Sequence, residues 1–148
     1  MFIEAFVLLG VMRAAILLFP FRRITALMGL RPCDAPSGAE SSMSAIPADI
    51  GWAVQAAAAR APWESACLAQ SLTGMAMLGR RGINATLYLG VAKDDSGAEA
   101  MVAHAWLCCG ELILTGAGGV ERFSAISSFS RPAAGYASLQ RQIDRPDV

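Results

Sequence analysis

The chain of 148 residues has little with which to do acid–base or metal chemistry: its only histidine is His104, and it has four cysteines. Lysine plus arginine and aspartate plus glutamate number 12 each, so the formal net charge is zero. A nucleic-acid binder needs a phosphate-facing cationic excess, and that class is excluded. Cys33, Cys67, Cys108 and Cys109 form no CxxC pair, and their spacing matches neither a disulfide scaffold nor a zinc finger. Such usage points to a reducing cytoplasm. A zinc site of Cys67, His104 and one of the adjacent cysteines is opposed by strand geometry, which turns neighbouring side chains to opposite faces. "GAGG" at Gly116 to Gly119 lacks the GxxxxGK[ST] pattern of a phosphate loop. No cofactor and no metal are expected.

Charged residues are also scarce, at 16% against 55% hydrophobic. That proportion leaves apolar surface for a partner protein or a membrane to cover. The first residues, "MFIEAFVLLGVMRAAILLFPFRR", lack the basic start and small-residue cleavage site of a signal peptide. Glu4, Arg13 and Pro20 interrupt the apolar run that a spanning helix needs. The expectation is a buried or partner-binding helix, with weak association with a membrane surface left open.

Ala5 to Leu18 reads as a helix apolar on nearly all sides, ended by Pro20, and a short second helix is expected over Arg22 to Leu30. Arg31 to Pro47, rich in Pro, Ser, Gly and Ala, reads as a loop. A third helix is expected from Ala48 to Arg60, capped by Asp49. A fourth, capped by Ser65 or Glu64, runs to about Arg81, with Leu68, Leu72, Met75 and Leu78 at helical period and Gly82 as terminator. Beyond Gly82 the period changes to that of strands: Ile83 to Ala92, Ala100 to Cys109 and, after a tight turn at Gly110 and Glu111, Leu112 to Gly116. Phe123 to Phe129 closes the core, and a polar tail follows. Three strands after a long helix predict an α+β domain with an antiparallel sheet packed on that helix.

Two residues stand out as chemistry. Cys67 falls in the first turn of the fourth helix, where unpaired backbone N–H groups and the positive end of the macrodipole favour a thiolate and can receive an oxyanion. His104 is the one available imidazole base, on the strand face that carries Val102, Trp106 and Cys108. Read from the residues alone, Cys67 is equally a small hydrophobe of the core, and a lone histidine on an apolar strand, as His104 is, is more often a structural residue.

Trp63, the run Cys67-Leu68-Ala69-Gln70, the helix end Arg80-Arg81-Gly82-Ile83, Gly90-Val91 and the strand Ala103-His104-Ala105-Trp106 extend the pattern. In order and spacing, over about Ile50 to Phe129, they resemble the transglutaminase-like cysteine peptidase of lasso peptide biosynthesis, the protease half of the maturation B protein. The apolar first helix ending in "FPFRR" is similar to that of its stand-alone members. The resemblance implies a transglutaminase-like or papain-like core at 48–130, with a nucleophile helix on a small antiparallel sheet. A helical extension and linker would occupy 1–47, and a polar tail 131–148. It implies a cytoplasmic cysteine peptidase that removes the leader from a ribosomally made lasso precursor peptide. Cys67 would be nucleophile and His104 base, with Trp63, Gln70 and Trp106 serving substrate or support. The implied partners are the precursor, a separate leader-binding recognition protein, since no recognition domain is evident here, and a macrolactam-forming cyclase.

One departure stands in the pattern. The superfamily's third catalytic residue is an aspartate that by position falls near Gly116, where this chain has no carboxylate. Either a backbone carbonyl orients His104, or Glu111 or Glu121 reaches in. The departure also keeps open a non-catalytic peptide-binding scaffold of the same fold.

Overall fold

The structure is a computed structural model that describes residues 1–33, 45–97 and 100–131. Four helices, α1 (Phe2–Leu18), α2 (Phe21–Leu27), α3 (Ile46–Arg60) and α4 (Cys67–Arg80), accompany five strands: β1 (Arg31–Pro32), β2 (Thr86–Lys93), β3 (Met101–Cys109), β4 (Leu112–Thr115) and β5 (Ser124–Ser130). The strands form one antiparallel sheet in the order β1-β5-β2-β3-β4, the α+β architecture expected from the sequence.

The centre of the fold is α4. Ala69, Leu72, Met75, Met77 and Leu78 are buried on it together with Ser71, Thr73 and Gly74, so that it is enclosed on nearly every side. Helix α1 presents Ala5, Leu9 and Met12 to this core at spacings of four and three, the stripe of a helix with one face covered. Helix α3 adds Ile50, Ala53, Val54 and Ala57, and the sheet adds Leu87, Ala105, Leu107 and Leu114. The amino-terminal helix therefore shares a single core with the sheet. Glu4 fastens it further, accepting hydrogen bonds from Arg81 Nη1 at 3.1 Å and Nη2 at 2.7 Å, with Arg80 at 3.4 Å. The arginine pair that closes α4 thus holds α1 in addition to facing the negative end of its own helix.

The elements depart from the sequence reading in specific places. Helix α1 begins at Phe2, three residues early, and α2 spans Phe21–Leu27, because Leu30 leaves the helix to be buried at the entry to β1. Helix α3 begins at Ile46: Pro47 lies in its first turn, where a missing N–H breaks no helical bond, so Asp49 is inside the helix and Ala45 caps it. Two strands were not expected. Arg31 and Pro32, within the predicted loop, pair with Ser130 and Phe129 of β5. The β5 strand itself, "SAISSFS", hides its alternation behind serines and a register shift at Leu89/Gly90. The remainder of the predicted loop, residues 34–44, and the tail beyond Arg131 lie outside the described residues. Among the described residues, no helix is long and apolar enough to cross a membrane.

Candidate active site

Cys67 is the first residue of α4, and Ala66 is its N-cap, in place of the expected Ser65 or Glu64. Alanine has no side-chain acceptor, and the first helical hydrogen bond is the one from the Gln70 N–H to the Ala66 carbonyl at 3.1 Å. The backbone N–H groups of Cys67, Leu68 and Ala69 are thereby free of helical partners, as at any helix start, and no side chain caps them. They form an uncapped set of donors around the half-buried thiol.

The segment that delivers the chain to this turn is held on both sides. Ser65 Oγ donates to the Trp63 carbonyl at 3.5 Å, and Gln70 Nε2 donates to the Ser65 carbonyl at 2.9 Å. Gln70 therefore braces the loop before Cys67 from one turn further along. The Trp63 ring packs on Phe6 of α1, with centroids 5.3 Å apart, and lies over Gly10. Its Nε1 is buried without a hydrogen-bond partner.

On the sheet, Leu107 of β3 lies against Gly74 of α4, and Ala105 shares that face. By strand alternation His104 and Trp106 lie on the other. There the His104 ring is 4.8 Å from Phe123 and 6.1 Å from Trp106, centroid to centroid. Trp106 stacks on Tyr88, its cross-strand partner, at 5.6 Å and 10°. The indole crosses Gly90, the residue opposite His104, where a Cβ would come within 2.7 Å of the ring. Gly90 of the Gly-Val pair is therefore small so that Trp106 can lie flat beside the histidine, a role that spacing alone did not reveal.

His104 Nε2 is 2.8 Å from the carbonyl oxygen of Gly116. A carbonyl only accepts, so Nε2 carries the proton and donates, and the tautomer this selects has its lone pair on Nδ1. The residue at the expected aspartate position thus orients the histidine through its main chain. Glu111 and Glu121 are exposed and make no hydrogen bond to it. Gly116 sits at φ +77°, where a Cβ would run into the Ala105 carbonyl and lie 2.9 Å from Trp106 Cβ. Nothing larger than glycine fits without displacing β3.

Cys67 and His104 are not joined by a hydrogen bond: the imidazole is bonded to Gly116, and the thiol packs against the apolar core. Helix α4 is tied to the segment that anchors His104 one residue before Gly116, where Ser71 of α4 and Thr115 of β4, both buried, share a hydrogen bond of 2.9 Å. Cys108 and Cys109 are poorer candidates for chemistry. Burial pushes both thiols up, and Cys109 donates to the Asn84 carbonyl. Among the described residues no group of three His, Cys, Asp or Glu stands ready to hold a metal ion.

Neither the curated proteins nor the solved structures contain a match to the chain. A family model does match, over residues 8–128, from within α1 to within β5, and its description is the transglutaminase-like superfamily, which includes cysteine peptidases. With most of its length so covered, the chain belongs to the transglutaminase-like superfamily.

Proposed function

We propose that the chain is a cysteine peptidase that removes the leader from a ribosomally synthesised lasso precursor peptide, in the cytoplasm and with a separate leader-binding protein, before a cyclase forms the macrolactam. The observation that carries the reading is the hydrogen bond from His104 Nε2 to Gly116, which leaves Nδ1 of the only imidazole as a base. In the reaction Nδ1 takes the proton of the Cys67 thiol, and sulfur attacks the scissile carbonyl carbon. The oxyanion is received by the uncapped first-turn N–H groups of α4. The imidazolium then protonates the leaving amine, and water, deprotonated by the same ring, releases the new carboxylate. The sequence pattern around Trp63, Gln70 and Trp106 supports the leader-peptidase assignment.

A second reading is a peptide-binding scaffold without catalysis, favoured by the absence of a hydrogen bond between thiol and imidazole. Catalysis requires the imidazole, which lies on the face of β3 turned away from α4, to reach the thiol when substrate binds. Alkylation by iodoacetamide, mapped by peptide mass, separates the readings. A peptidase labels at Cys67 ahead of Cys33, Cys108 and Cys109, and His104→Ala slows that labelling by about 10²-fold or more. Labelling of Cys67 that is no faster than the others and indifferent to His104→Ala selects the scaffold.

A further inference from the structure

The helix face that α1 turns away from the core is apolar and uncovered. Ile3, Val7, Val11 and Leu18 follow one another along it at 77%, 58%, 54% and 73% exposure, and Leu17 and Leu27 extend the patch to 68% and 82%. This is the side opposite Ala5, Leu9 and Met12, so the core cannot take it up. Its charges are of one sign. Residues 1–33 contain four arginines, Arg13, Arg22, Arg23 and Arg31, and one acid, Glu4, in a chain whose total charge is zero. Glu4 is already held by Arg81 and Arg80. Arg22, Arg23 and Arg31 are exposed beside the carboxyl end of the stripe, and none of the ion pairs among the described residues includes them.

We propose that this face is a docking surface for an anionic lipid bilayer, on which α1 lies flat. A helix of 17 residues is about 25 Å long, short of the roughly 30 Å hydrocarbon core. One side of it is committed to α3 and α4. A surface that combines an apolar stripe with flanking arginines matches the interfacial layer, where acyl chains take the stripe and anionic headgroups take the cations. A second copy of the chain is the weaker occupant: pairing this face with itself brings two sets of arginines together with no free carboxylate among the described residues of the face to neutralise them. Trp63, four residues before Cys67, packs on Phe6 of α1, so docking sets the nucleophile turn close to the membrane.

Flotation of the full chain with vesicles tests the proposal. The protein should rise with mixed phosphatidylcholine–phosphatidylglycerol vesicles at low salt, rise far less with phosphatidylcholine alone, and return to the bottom fraction as salt is added. Arg22→Gln with Arg23→Gln should lower partitioning about thirtyfold, at about fivefold per cation. Val7→Glu should abolish it. Both changes lie on exposed positions and should leave the thermal unfolding of the protein unaltered. A wild-type chain that stays at the bottom with anionic vesicles, or that partitions equally to neutral ones, overturns the proposal. So does a dimer in vesicle-free solution that Val7→Glu dissociates, which would assign the face to a second copy.

Discussion

A glycine carbonyl does at Gly116 what a carboxylate does elsewhere, because the site leaves no room for a side chain. The backbone there is left-handed and pressed against β3, so an aspartate would meet the Ala105 carbonyl before it could reach His104. Gly116→Asp is therefore expected to destabilise the protein by roughly 1–3 kcal/mol without raising activity. Denaturant midpoint and turnover, measured on the same preparation, check this, and a stable and faster variant would contradict the account. A backbone dipole carries less charge than a carboxylate, so in the proposed reaction the imidazolium is less stabilised than in a full triad.

At the scale of elements, α4 carries the proposed nucleophile and β4 leads into the histidine's anchor, and the buried Ser71–Thr115 hydrogen bond joins them. Ser71→Ala leaves the Thr115 hydroxyl in the core without a partner and should cost about 1–3 kcal/mol. Adding Thr115→Val should recover most of that loss, which a double-mutant unfolding series would show. Helix period made α4 and its end at Gly82 legible in the sequence, since both rest on local rules of spacing and capping. The start was less legible. Ser65 and Glu64 are good caps by residue type, but Ser65 bonds the Trp63 carbonyl instead and leaves alanine at the cap. The β1–β5 pair escaped for a different reason: contacts between Arg31 and Ser130 are long-range and carry no local periodicity. The face of His104 followed from alternation, yet its partner could be named only among alternatives, because a main-chain acceptor has no sequence signature.

At the scale of the whole molecule, the amino-terminal helix shares the core of the domain and is clamped to α4 by charge. Glu4 is held below the ordinary carboxylate range, chiefly by its hydrogen bonds to Arg81. A depressed folded-state value contributes stability that is fully present above the unfolded value of 4.5 and disappears as pH falls through the lower folded one. Glu4→Gln should thus lower stability by about 1 kcal/mol at neutral pH, as for a partly exposed bidentate pair, and by progressively less under acid conditions. The gap between the unfolding curves of the two proteins should narrow as pH falls from 7 toward 3; a constant gap would mean that the clamp is not ionic.

The central claim is that Cys67 carries peptide-bond hydrolysis. Its most direct test incubates the wild-type chain and Cys67→Ala, each with the lasso precursor and the leader-binding protein, and follows the precursor by intact mass. The account predicts that wild type yields free leader and core peptide, while Cys67→Ala leaves the precursor whole although it still folds. Cleavage by Cys67→Ala at the wild-type rate would contradict it.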